Sequence, residues 1–209
     1  MSITTVTREF GAYERHIRRA TTADLCAAAY ILAAAFHDDP RVSWLIPDDG
    51  RRRATLPAIM ELFAEHFQPH GENHVNESGS GVALWLPPDA APTPEAEERL
   101  GAGLVALAGE DIARFDQLMA TSEANHPTEP HYDLMLLGVI PDRQGVGIGS
   151  ALLHAVLDRA DREHLPAYLE ATSPRNRALY ERHGFEVTAE LRVADCPPLW
   201  AMWRAPRAG

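Results

Sequence analysis

The period of the apolar positions changes repeatedly along the chain, and each change predicts an element. Residues 13–19 alternate loosely and predict a short first strand. Thr21 to Asp24 offers an N-cap before the Ala-rich apolar run 25–36, which predicts a helix. His37-Asp38-Asp39-Pro40 ends that helix, because the residue before a proline is pushed out of helical geometry. From residue 51 to about 66, Leu56, Ile59, Met60, Phe63 and Phe67 form one stripe of a second helix, which Pro57 either kinks or begins. A turn at Gly79-Ser80-Gly81 leads into a strand over 82–86. A Pro/Ala-rich loop follows, then a glycine-interrupted helical stretch at 95–120, together an insertion of about residues 89–128 too short for a core of its own. After it come a strand at 132–140, a strongly periodic helix at 148–164, a buried strand at 167–172 and a short helix at 175–183 closed by Gly184. Strands at 185–191 and 199–203 finish the chain.

Charge and composition narrow the class. A length of 209 residues suits a single domain over 1–209. The net charge of −11 argues against a nucleic-acid partner, since phosphate backbones select basic surfaces, and suits a cationic small molecule such as an amine. Cys26 and Cys196 fit no metal spacing and are too few for a disulfide framework, so a reducing cytoplasm is expected. The first twenty residues hold Glu9 and Glu14 and lack the apolar stretch of a signal peptide, and no apolar run is long enough for a membrane.

The stretch Val139-Ile140-Pro141-Asp142-Arg143-Gln144-Gly145-Val146-Gly147-Ile148-Gly149-Ser150 carries the chemistry. A strand runs into a glycine-rich turn and a helix starts at once, which aims backbone N–H groups and the positive helix end at one point, an anion site suited to a pyrophosphate. The spacing Gly145, Gly147, Gly149 is not a dinucleotide fingerprint, and no lysine follows Gly149 as an NTPase phosphate loop requires. Three glycines in five residues are costly for a helix start that merely happens to be glycine-rich.

Gln144-Gly145-Val146-Gly147-Ile148-Gly149 resembles the Arg/Gln-x-x-Gly-x-Gly/Ala acetyl-CoA signature of the GNAT superfamily of N-acetyltransferases. The run Asn176…Leu179-Tyr180-Glu181-Arg182-His183-Gly184-Phe185 is similar to that family's later motif. Within the superfamily, Asp39-Pro40, Glu129-Pro130 and Trp200-Ala201-Met202-Trp203 are similar to the puromycin N-acetyltransferase group. The resemblance implies an α/β fold with a central mixed, mostly antiparallel sheet of about seven strands flanked by helices, with the helical insertion placed before the cofactor strand. It implies acetyl-CoA as cosubstrate, no metal, and direct attack by an amine without a covalent enzyme intermediate. Cofactor contacts are then expected from Val139, Ile140, Arg143, Gln144, Gly145, Val146, Gly147, Ile148, Gly149, Ser150, Asn176 and Tyr180. Backbone N–H groups near Val139 and Ile140 would polarise the thioester carbonyl, and Arg143, Arg175 and Arg177 would offset the cofactor's charge.

Tyr180 is the candidate general acid toward the coenzyme A sulfur, although Leu179, Tyr180 and Phe185 also fit an ordinary packing cluster. Glu170 is a lone carboxylate in an apolar strand, either at a rim or placed for proton transfer or amine binding. Acceptor contacts are expected from Tyr30, Phe36, Asp38, Asp39, Trp44 and Trp85, with paired aspartates also readable as a solvated helix end and the tryptophans as core. His66, His70 and His74 recur at fourfold spacing, but Pro69 and Gly71 interrupt any helix and no His-Glu-x-x-His glutamate is present, so a solvated loop is expected. The expected activity is acetylation of a small-molecule amine, possible acceptors including aminonucleoside-type antibiotics, by a monomer or homodimer. Acetylation of a peptide or protein amine and a catalytically inactive coenzyme A sensor are the rivals.

Overall fold

The structure, a computed structural model, describes residues 15–90 and 92–207. Its strands are β1 (Ile17–Arg19), β2 (His74–Asn76), β3 (Gly81–Leu86), β4 (Tyr132–Val139), β5 (Ala167–Ala171), β6 (Glu186–Leu191) and β7 (Leu199–Arg204). They form one sheet in the order β1-β2-β3-β4-β5-β7-β6. β4 and β5 run parallel and every other neighbouring pair is antiparallel, the mixed sheet that the sequence implied. Residues 13 and 14 of the expected first strand lie outside the described residues.

The helices are α1 (Leu25–Phe36), α2 (Pro40–Leu45), α3 (Asp49–Phe67), α4 (Pro94–Ala108), α5 (Ile112–Asn125), α6 (Ile148–Arg162) and α7 (Pro174–Arg182). Two of them correct the sequence reading. Pro40 does end α1, but it also starts α2: Asp39 caps that helix by accepting from the N–H groups of Arg41 and Val42, and a proline at the first helical position gives up no hydrogen bond. Pro57 neither begins nor divides α3, which runs from Asp49 through it, with Asp48 capping Arg51.

Alternation along β3 divides the core. Ala83 and Trp85 face α6, where they meet Leu152, Leu153, Val156 and Leu157. Val82 and Leu84 face α1 and α3 and meet Leu32, Phe36, Leu56 and Met60. The insertion α4–α5 adds Leu100, Leu104, Phe115 and Leu118 to a third cluster with Tyr168, Leu199 and Ala201. Leu152 is fully buried between sheet and helix. We expect Leu152→Ala to cost about 2–5 kcal/mol, the usual range for a buried leucine, measurable by denaturant titration.

The parallel β4–β5 ladder is short. Tyr132, Asp133 and Leu134 pair with Ala167, Tyr168 and Leu169, and beyond that point the strands separate. Register between β3 and β4 shifts at Leu84/Trp85, where Met135 has no counterpart across the ladder. Such a bulge bends its strand. The result is a cleft between the C-terminal half of β4 and the end of β5.

Candidate active site

The glycine-rich turn closes one end of that cleft. After β4 the chain makes a 3-10 turn at Pro141–Arg143, and Gly147 becomes the N-cap of α6 with φ 97°. This left-handed conformation is open to glycine and strained for other residues, which explains the glycine there. It leaves the first N–H groups of α6 facing a cavity of ≈ 390 Å³. Of the residues expected to contact the cofactor, Val139, Arg143, Gln144, Gly145, Gly147, Ile148, Gly149, Ser150, Asn176 and Tyr180 line this cavity. Val146 turns outward, half exposed. Ile140 packs toward α1 and α3, and its N–H donates to the Ser80 carbonyl at 2.9 Å, so it is not free to polarise a thioester.

The same bond orients its neighbours. With Ile140 N–H on Ser80 O, the Gly81–Val139 and Ala83–Leu137 pairs are the non-hydrogen-bonded ones of the antiparallel ladder. The N–H groups of Val139 and Leu137 therefore point away from β3, toward the cleft that β5 has left. The Val139 carbonyl accepts from Gln144 Nε2 at 3.0 Å, which fixes the turn to the strand. Leu137 was missed in the sequence, though it lies two positions before Val139 on the same strand edge.

Positive charge is distributed differently from the expectation. Arg143 and Arg175 line the cavity, and so does Arg182, which sequence reasoning did not single out. Arg177 does not: its Nε pairs with Glu181 at 2.8 Å and its guanidinium lies over Trp200. Asn176 is held from behind, donating to Thr172 Oγ1 at 3.1 Å, while that hydroxyl donates to Asp39 Oδ2 at 2.6 Å. Asp39 thus ties the start of α2 to the start of α7 across the cleft.

Tyr180 lies where two spaces meet. A second, smaller cavity of ≈ 20 Å³ shares Phe36, Leu137, Asn176 and Tyr180 with the first, and adds Arg41, Met135, Glu170 and Thr172. The Tyr180 ring packs edge-to-face on Phe185, so part of its role is packing. Its hydroxyl has no hydrogen-bond partner among the described residues, and burial pushes its pKa up, which keeps the phenol protonated.

Glu170 is on the opposite wall. Ser122 Oγ of α5 donates to it at 2.8 Å and Tyr168 Oη at 3.2 Å, so the insertion supplies one of the groups that orient this carboxylate. Asp133 stands beside it. Burial first, and the Glu170 charge second, push the Asp133 pKa up to about 8. The surrounding groups are Glu170, Tyr168, His126 (Nε2 3.7 Å from Asp133) and His131, whose ring lies 5.0 Å from that of His126. A carboxyl whose folded pKa is raised binds its proton more tightly in the native state, so its contribution is complete below the unfolded pKa near 4 and is lost as pH rises toward 8. Asp133→Asn should therefore raise the melting temperature at pH 9 and change it little at pH 4. Equal shifts at both pH values would show that the ionised carboxylate is not the cause.

Four of the six acceptor candidates lie elsewhere, while Phe36 lines both cavities. Tyr30 is 70% exposed and the Asp38 side chain is 94% exposed. Trp44 donates to Asp195 at 2.8 Å under Arg114, outside both cavities, because α2 points its C-terminal end toward the insertion. Trp85 is fully buried against α6. Asp39 does line the larger cavity, as a buried helix cap and not as a solvated helix end. Nor are the three spaced histidines a solvated loop: the His66 side chain is buried at the end of α3, 3.5 Å from Glu97, and His74 is buried in β2 on the Glu72 carbonyl. Among the described residues, His126, His131 and Asp133 are the cluster whose atoms could converge on a metal, within 4.8 Å of one another. No helix there is long and apolar enough to cross a membrane.

Residues 56–185 match the model of the acetyltransferase (GNAT) family. The chain belongs to that family. A mycothiol acetyltransferase of Propionibacterium freudenreichii is 28% identical over 158 residues, 71% of this chain and 50% of that protein, so the chain spans about half the length of this relative. An N-acetyltransferase of Schizosaccharomyces pombe is 27% identical over 210 residues, 90% of this chain and 83% of that protein. Among solved structures, a Corynebacterium glutamicum protein described as histone acetyltransferase HPA2 and related acetyltransferase is 32% identical with a TM-score of 0.69, covering 93% of this chain and 97% of its own.

Proposed function

We propose that this acetyltransferase moves an acetyl group from acetyl-CoA to the amine of a small molecule, with Tyr180 as general acid and Glu170 as general base. The observation that supports this reading is the shared wall of the two cavities: one opens on the glycine turn and the arginines, the other on Glu170, and Tyr180 belongs to both. The residues fit the cosubstrate. Gly147 leaves the start of α6 bare for a pyrophosphate, Arg143, Arg175 and Arg182 stand around it, and the cleft between β4 and β5 suits an extended chain. Acetyl-CoA supplies the thioester that the amine attacks.

The protein's own groups then divide the work. The Val139 and Leu137 N–H groups, aimed into the cleft, would stabilise negative charge on the carbonyl oxygen. Glu170, ordered by Ser122 and Tyr168, would take the amine proton directly or through water. Tyr180, still protonated because it is buried, would give a proton to the departing sulfur. Glu170→Gln is close to isosteric, and we expect kcat/KM for the amine to fall on the order of 10²-fold with acetyl-CoA affinity retained. Lost acetyl-CoA affinity with normal acceptor kinetics would instead place Glu170 on the cofactor side.

A thiol-release assay separates the acceptor classes. Small amines, aminonucleosides among them, should support turnover, and peptides with free N-termini or lysines should not. The opposite result would favour a peptide acceptor, in keeping with the histone acetyltransferase named for the Corynebacterium protein.

A further inference from the structure

We propose that Arg41 anchors a carboxylate of the acceptor, so that the substrate is an amino acid or a comparably short zwitterion carrying both an amine and a carboxylate. This rests on the amine acetyl transfer proposed above and adds the chemistry of the acceptor's other end.

Arg41 is the second residue of α2, and Asp39 pins its backbone N–H at 2.9 Å. Its side chain lines the small cavity that also holds Glu170, Thr172 and Tyr180. Its Nε is buried and has no hydrogen-bond acceptor. No ion pair joins its guanidinium to a carboxylate of the described residues within 4.0 Å. The two arginines that, among the described residues, are buried as whole residues behave differently. Arg52 donates to the His37, Ile46 and Pro47 carbonyls and to Asp49, and Arg204 forms a two-bond pair with Asp161 and a further bond to His183 O.

The carboxylates nearest in the fold are already engaged. Asp39 uses one oxygen for the N-terminus of α2 and the other for Thr172. Glu170 accepts from Ser122 and Tyr168, one bond to each oxygen. Arg41 is half-buried, and a guanidinium Nε shut away from water without an acceptor is unfavourable, because that donor has lost its water and gained nothing in exchange. The charge reaches Tyr180, whose pKa it draws down against the effect of burial. An anion entering with the acceptor would complete it, and a planar carboxylate matches the guanidinium fork in two parallel bonds.

Arg41, Glu170 and Tyr180 line the same small cavity, which shares Phe36, Leu137, Asn176 and Tyr180 with the larger one. An amine presented to Glu170 and a carboxylate presented to Arg41 must belong to one short molecule. A peptide N-terminus has its backbone carboxylate at the far end of the chain and does not satisfy both.

Matched acceptors test the inference: glycine against glycinamide, β-alanine against its amide, and phenylalanine against phenylalaninamide, each with saturating acetyl-CoA and thiol release as readout. The wild type should prefer the acid in at least one pair by about tenfold or more in kcat/KM. Arg41→Gln should lower kcat/KM for that acid on the order of 10²-fold and bring the acid-to-amide ratio near one. Arg41→Lys, which keeps the charge and loses the fork, should fall between. Amides equal to or better than acids in every pair, or an acid preference that survives in Arg41→Gln, would overturn the proposal while leaving amine acetylation intact. Binding gives a second readout that needs no turnover. N-acetylated amino acids with coenzyme A should raise the melting temperature of wild type beyond coenzyme A alone, and should not do so for Arg41→Gln. No added shift with any of them in wild type would equally overturn it. Failure of every amine in the turnover assay, with that binding shift present, would count against the proposed reaction and not against the Arg41 site.

Discussion

Replacing Tyr180 by phenylalanine should lower kcat on the order of 10²-fold or more while leaving acetyl-CoA affinity within a few-fold of wild type. The substitution removes one oxygen and keeps the ring on Phe185. That oxygen has no hydrogen-bond partner among the described residues, so no internal bond is lost and the melting temperature should stay close to that of the parent. What disappears is a proton donor where the two cavities join, and a positioned acid contributes roughly 10²–10⁴-fold. Single-turnover kinetics would place the loss in the chemical step. Unchanged turnover would make Tyr180 a packing residue only.

Gly147→Val should abolish acetyl-CoA binding. The backbone there has φ 97°, which a β-branched residue tolerates poorly, and an added Cβ would come within 3.4 Å of Arg15 Cδ at the mouth of the cavity. Gly149→Ala is the control. Position 149 lies inside α6, and a Cβ there meets Leu179 Cδ2 at 3.6 Å, an ordinary contact. For the parent and for Gly149→Ala, acetyl-CoA at about 100 times its Kd should add about 2.7 kcal/mol to stability, a rise of several degrees in a chain of this length. Gly147→Val should show no such rise. A normal rise in Gly147→Val would remove the glycine turn from the binding site.

The parts of the fold that were legible in the sequence are those where one local signal decides the outcome. α6 combines a helical stripe with a glycine start, and β5 is short and apolar, so both were placed to within a few residues. α2 was not, because Pro40 carries two meanings, helix end and helix start, and only the Asp39 cap resolves which. Strand alternation did not reveal which face of the sheet each residue would meet, so Trp85 was named for the pocket though also readable as core, and α6 covers it.

Motif and geometry coincide at the glycine turn and Tyr180, which both line the larger cavity. Ile140 was misassigned because a one-residue step along a strand reverses the direction of its N–H, and the bond to Ser80 decides which residue faces the cleft. Arg177 and Arg182 are both on α7, and only the neighbours Glu181 and Trp200 show why the first is withdrawn. Arg41 and Ser122 were invisible to sequence reasoning. Arg41 lines the small cavity from α2, and Ser122 bonds Glu170 from the inserted α5, both elements far from the motifs in the chain.

Amine-dependent thiol release, followed together with the mass of the acceptor, tests the central claim most directly. Wild-type protein with acetyl-CoA and its best small amine should release coenzyme A in equal amount to N-acetylated amine formed, and Tyr180→Phe should bind acetyl-CoA yet release it on the order of 10²-fold more slowly. Tight acetyl-CoA binding with no release above the hydrolytic background, for any small amine or peptide, would contradict the account and leave a coenzyme A-binding protein without turnover.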